Sequence, residues 1–144
     1  SMLALTVLHG AIPRLFPPRV LPKLAFEEGI PSECKTAIVV PSLLGDAAEV
    51  KQLLGQIERH YLCNPDPNLR FLLLTDFPEA DVSECPKDRE LRRQAVTGIQ
   101  HLNRTHGSNS SGPFHLLHRA RRYAKREGTW MGRERKRGKL EELN

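Results

Sequence analysis

The chain has 144 residues, 39% of them hydrophobic and 27% charged, the size and composition of one domain with room for a real core. Its net charge of +5 is unevenly held: Arg119 to Lys139 carries ten Lys or Arg against Glu127 and Glu134, a local +8 that leaves −3 elsewhere. Such a patch argues for a local anionic partner and against a uniformly basic, generally adhesive protein.

The opening "MLALTVLHGAI" is apolar over eleven residues. That is short of the about 20 needed to cross a bilayer, and it lacks the basic flank of a signal peptide. It reads as a docked or loose arm, or as the last turns of a membrane segment. The prolines of "IPRLFPPRVLPKL" exclude regular helix, so residues 1–30 are expected to form an extended lead-in.

Three short apolar runs follow: "TAIVVP", "LRFLLLTD" and "FHLLHR". They are rich in β-branched or aromatic residues and lack polar alternation, which predicts buried strands. Between the first two, Val50, Leu53, Leu54, Ile57 and Tyr61 recur at helical spacing. Asp46 with Glu49 makes a capping box, and Asn64-Pro65 closes the helix. Between the second and third, Leu91, Ala95, Ile99 and Leu102 mark another helix, stopped at Gly107. The unit is β-α-β-α-β, and the economical architecture is α/β, a parallel sheet covered by helices. "GSNSSGP" reads as a flexible loop before the third strand.

Cys34, Cys63 and Cys85 are widely spaced and odd in number, which fits a reducing compartment. His115 and His118 lie three apart in a strand and so point to opposite faces, unsuited to a shared metal. Only Gly45 occupies the first strand-to-helix turn, so the glycine fingerprint of a dinucleotide site is absent. "GRERKRGKL" fails as a P-loop, with five residues between its glycines instead of four and Leu140 after Lys139.

In an open parallel sheet, ligands bind beyond the carboxyl ends of the strands, here Pro41-Ser42-Leu43, Thr75-Asp76-Phe77 and His118-Arg119. Asp76 can accept a hydrogen bond from a base edge or a sugar hydroxyl. On turn chemistry alone it reads first as the turn residue before Phe77-Pro78. Ser42 is the weaker candidate, a residue type found there more often at a helix entry than in a ligand contact. The run "WMGRERKRGKLEELN" is helix-forming and carries no stop signal, so the sequence is expected to continue beyond Asn144.

At "PSLLGDAAEV", "HYLCNPDPNLRFLLLTDFPEA", "LNRTHG" and "WMGRERKRGKLEELN" the chain resembles the glycosyltransferase domain of the cyclic β-1,2-glucan synthases, from about Leu15 to Asn144. The resemblance implies that residues 31–144 are the Rossmann-like βαβαβ half of a GT-A-type fold. It implies a large membrane-bound bacterial enzyme that spends UDP-glucose to build β-1,2-glucan, with this segment on the cytoplasmic side of the inner membrane. It also implies a divalent metal, Mg or Mn, held by an Asp-x-Asp that this chain lacks. Carried over by motif, Pro41 and Ser42 would approach the uridine, Asp76 would accept the uracil N–H, and Arg137 and Lys139 would face the diphosphate. The implied partners are UDP-glucose and the growing glucan, with no nucleic acid, and with the membrane reached through parts outside this chain. Unpaired strand edges would favour a dimer of this chain. Pattern alone leaves a different class open: a small basic α/β protein binding nucleic acid or an anionic membrane surface. Against that reading, only Tyr123 and Trp130 interleave the cations as aromatic stacking platforms.

Overall fold

The computed structural model describes residues 29–107, 112–132 and 135–143. The apolar opening, the proline-rich arm up to residue 28 and the centre of the 107–113 loop lie outside the described residues. After a single 3-10 turn at Ser32–Cys34, the chain runs β1 (Thr36–Leu43), α1 (Ala47–Cys63), β2 (Leu69–Asp76), α2 (Asp88–His106) and β3 (Phe114–Arg119). A hairpin of β4 (Arg122–Ala124) and β5 (Thr129–Met131) follows, then the short helix α3 (Arg135–Glu141). The architecture is α/β, with β1-β2-β3 as a parallel sheet in that spatial order.

Alternation along β2 decides what each face meets. Phe71 and Leu73 point to one side and pack with Ile57 of α1, Ile99 and Leu102 of α2, and Phe114 of β3. Both helices therefore cover the same face, as two consecutive right-handed crossovers in one direction require. They touch closely at Gly98, where a Cβ would sit 2.2 Å from Leu54 Cδ1. A second cluster, Leu44, Val50, Phe77, Leu91 and Ala95, continues the core toward the carboxyl ends of the strands. Leu72 and Leu74, on the other face of β2, are also buried. The central strand is thus apolar on both sides. The edge strands are more open than their sequences predict, with Leu43 51% and Leu117 46% exposed.

The first helix starts as its sequence demands. Asp46 Oδ1 accepts the Glu49 N–H at 2.9 Å, while Glu49 reaches back to the N–H of Gly45 instead of Asp46, also at 2.9 Å. No helix among the described residues is long and apolar enough to cross a membrane.

The hairpin is the element that pattern reading missed. It pairs Arg122 to Ala124 with Thr129 to Met131, and the turn closes on Gly128 at φ +68°, a conformation that suits glycine. Ala80 docks on its outer strand by exchanging two backbone hydrogen bonds with Trp130. Tyr123 and Trp130 are directly opposite one another, with ring centroids 5.6 Å apart, so the aromatic residues of the basic run serve first as a cross-strand pair.

Candidate functional site

The parallel register sets Leu43, Asp76 and Arg119 side by side at the carboxyl end of the sheet, on the face away from α1 and α2. Asp76 ends a strand of buried residues and is itself only 3% exposed. A buried carboxylate needs partners, and here it has two cations. Arg119 grips it with a fork, Nε donating to Oδ1 at 2.8 Å and Nη2 to Oδ2 at 3.0 Å. Lys139, carried in by α3, sets its Nζ 3.1 Å from Oδ2 and donates to the Ser42 carbonyl at 2.7 Å. Arg119 Nη1 in turn lies 3.3 Å from Glu142 Oε1, and the Asp76 carboxylate raises the Arg119 pKa still further.

Gly132 closes the cluster from above. A Cβ there would lie 2.6 Å from Asp76 Oδ2 and 2.9 Å from Arg119 Nη2. Both of those atoms are pinned in the ion pair, so neither could yield.

In front of Asp76 opens a pocket of about 510 Å³. Pro41, Ser42, Asp76 and Lys139 line it, with Phe77 and Met131 among its apolar walls. Four of the five residues singled out from the sequence therefore meet in one cavity. Arg137 is not among its lining residues. It stands exposed on α3, with Nε donating to Glu141 Oε1 at 2.8 Å. Helix geometry gives the reason: residues two apart lie about 200° around the axis, so Lys139 facing the sheet turns Arg137 outward.

Another wall of the pocket, Phe77 to Glu79, is held by a second buried pair. Arg121 pairs through two nitrogens with Asp88, at the start of α2; both side chains are at most 2% exposed. Arg121 Nε also donates to the Pro78 carbonyl at 2.6 Å, and its guanidinium sits 5.1 Å from the centre of the Phe77 ring. Burial alone would raise the Asp88 pKa, but the Arg121 hydrogen bonds and the Cys85 N–H hold it below the usual carboxylate value. The sequence placed Arg119 at a strand end and Arg121 in the basic run, without a buried carboxylate partner for either. The signal available for Arg119 was its place at the end of an apolar strand, one strand over from Asp76.

His118 lies on the helix side of the same edge. Thr75 Oγ1 is 2.9 Å from its Nδ1 and Phe77 packs 4.3 Å away, while Nε2 is buried with no hydrogen-bond partner among the described residues. Burial first, and then the nearby Arg92, press its pKa down to about 4. A folded-state pKa below the unfolded value of about 6.5 means that the unfolded chain binds the proton more readily. This group's stability is therefore full above pH 6.5 and lost as the pH falls toward 4. After solvent screening at this half-buried ring, we expect about 1–2 kcal/mol. Urea midpoints between pH 7 and pH 4.5 should fall less in His118→Phe than in the wild type, and equal slopes would contradict this account.

No group of three or more His, Cys, Asp and Glu side chains able to hold a metal occurs among the described residues. The Asp76 carboxylate is a poor cation ligand here, since Arg119 and Lys139 already occupy it and would repel a divalent ion.

No family model matches the chain. Over 119 residues it is 41% identical to the cyclic β-(1,2)-glucan synthase NdvB of Rhizobium meliloti (strain 1021), a match that covers 83% of this chain. The chain is related to the cyclic β-(1,2)-glucan synthases. It spans 4% of the length of that synthase, so the kinship is to one segment of a much larger protein. The parallel sheet sets Ser42, Asp76 and Arg119 at the carboxyl ends of its strands, the edge at which open α/β sheets bind ligands.

Proposed function

We propose that this chain supplies the nucleotide-sugar-binding half of a glucosyltransferase that uses UDP-glucose to build β-1,2-linked glucan. The observation that carries the reading is the convergence of Pro41, Ser42, Asp76 and Lys139 on one pocket, in a chain 41% identical to a segment of a cyclic β-(1,2)-glucan synthase. Asp76 offers an acceptor for a base N–H or a ribose hydroxyl. Lys139 offers a fixed positive charge for a phosphate oxygen. The apolar walls at Phe77 and Met131 suit the face of a nucleobase.

Arg137 contributes at longer range, from the exposed side of α3. The growing glucan and a divalent metal, Mg or Mn, are bound by parts of the whole protein outside this chain. On this reading the 144-residue chain binds nucleotide without turning it over, because the divalent metal that would stabilise a departing diphosphate is held outside it. The whole protein holds the segment at the cytoplasmic face of the inner membrane.

Calorimetric titration with UDP and UDP-glucose tests the reading. The expected dissociation constant lies between about 1 μM and 1 mM, in the ordinary range for enzyme substrates. Affinity should change little between 50 and 200 mM salt and be lost in Asp76→Ala. No uptake of UDP, together with RNA or anionic-vesicle binding that collapses as salt is raised, would replace this reading with binding through the basic run.

A further inference from the structure

We infer that Arg119 is a positioning residue, which fixes the Asp76 carboxylate in the one orientation that presents a free acceptor to the pocket. The inference rests on the nucleotide-site reading for its ligand and on the geometry of the cluster for its mechanism. Arg119 does not line the cavity; it stands behind Asp76 and acts through it.

A carboxylate has about four lone-pair directions. Among the described residues, Oδ2 takes two donors, Arg119 Nη2 and Lys139 Nζ, whereas Oδ1 takes Arg119 Nε alone. One acceptor direction, on Oδ1, is left for a ligand N–H or hydroxyl. Rotation of the carboxylate would exchange its two oxygens and scatter that direction. Three contacts oppose rotation: the two-point Arg119 fork, the ion pair of Arg119 Nη1 with Glu142 Oε1 that holds the fork, and the backbone of Gly132 packed over the Asp76–Arg119 pair. A single-point cation such as Lys139 supplies charge but cannot fix the plane of a carboxylate, because an ammonium has no fork.

The distinction between fork and charge makes the test. Arg119→Lys keeps the charge and loses the fork; Arg119→Gln loses both. In the full 144-residue chain, we expect Arg119→Lys to retain its fold, with a urea midpoint close to the wild type. Its UDP dissociation constant should nevertheless rise about tenfold, which corresponds to about 1.4 kcal/mol. Crystal structures of the ligand-free proteins should show the Asp76 carboxylate in one orientation about its Cβ–Cγ bond in the wild type and spread over several in both variants. That measurement needs no ligand, so failure of the wild type to bind UDP would sink the nucleotide reading alone, and the carboxylate orientation would still decide the role of Arg119. An Arg119→Lys protein that holds the Asp76 carboxylate in a single orientation and binds UDP within twofold of the wild type overturns the inference. That result would assign Arg119 a purely electrostatic part.

Discussion

Replacing Arg121 by alanine is expected to lower the unfolding free energy by about 3–5 kcal/mol, because it strands the buried carboxylate of Asp88 without its cation. The same change removes the bond to the Pro78 carbonyl and the contact over Phe77, so the segment from Phe77 to Lys87 loses these ties to the connection between β3 and β4. Equilibrium urea denaturation measures the loss. Asp88→Asn should lose a comparable amount, and Arg121→Met combined with Asp88→Leu should lose much less than the two single charge deletions together. That follows because two apolar side chains leave no uncompensated charge behind. Acid tests the same pair. The Asp88 pKa is depressed in the folded state, so its contribution is complete above the unfolded value of about 3.9 and drains away as the pH falls through the folded value. Asp88→Asn should lack this acid-sensitive component, and an Arg121→Ala protein as stable as the wild type would contradict the account.

Much of this architecture is legible in the residues. "LRFLLLTD" reads as a strand buried on both sides, and β2 has only one residue, Arg70, that is not fully buried. Asp46 and Glu49 announce the start of α1, and Gly107 the end of α2. Strand ends in a parallel sheet point to where a ligand would sit, and Pro41, Ser42 and Asp76 were found that way, while Lys139 came from the resemblance.

What stayed hidden is long-range and electrostatic. A cation in a basic run looks the same in sequence whether it faces water or a buried carboxylate 43 positions earlier, as Arg119 does with Asp76. Arg121 and Asp88 lie 33 apart and are equally silent. The β4-β5 hairpin is short and strongly charged, with Arg122 and Tyr123 exposed, so it shows neither apolar alternation nor length. Arg137 and Lys139 could have been separated in advance, since a helix cannot aim residues two apart at one target.

Asp76→Asn should be the most costly single change at the pocket itself. Asparagine keeps the shape of the side chain, yet it leaves Arg119 and Lys139, 10% and 5% exposed, facing a neutral amide. Glu142 still neutralises part of the Arg119 charge, but it is 40% exposed and lies 3.3 Å away, so it compensates poorly. A loss of about 3–5 kcal/mol is expected, with nucleotide affinity falling beyond detection. Lys139→Met alone should cost less, since Asp76 keeps the stronger, two-point partner. The decisive comparison is the double variant Asp76→Asn with Lys139→Met. Once the carboxylate is gone, the lysine is a buried charge whose remaining partner among the described residues is the Ser42 carbonyl, and removing it should relieve the fold. The two changes should therefore be non-additive by about 1–3 kcal/mol, the range found for residues in one charge network. Strict additivity in urea denaturation would mean that Lys139 does not feel Asp76. α3 would then be docked on the sheet by something other than the ion pair that brings it to the pocket.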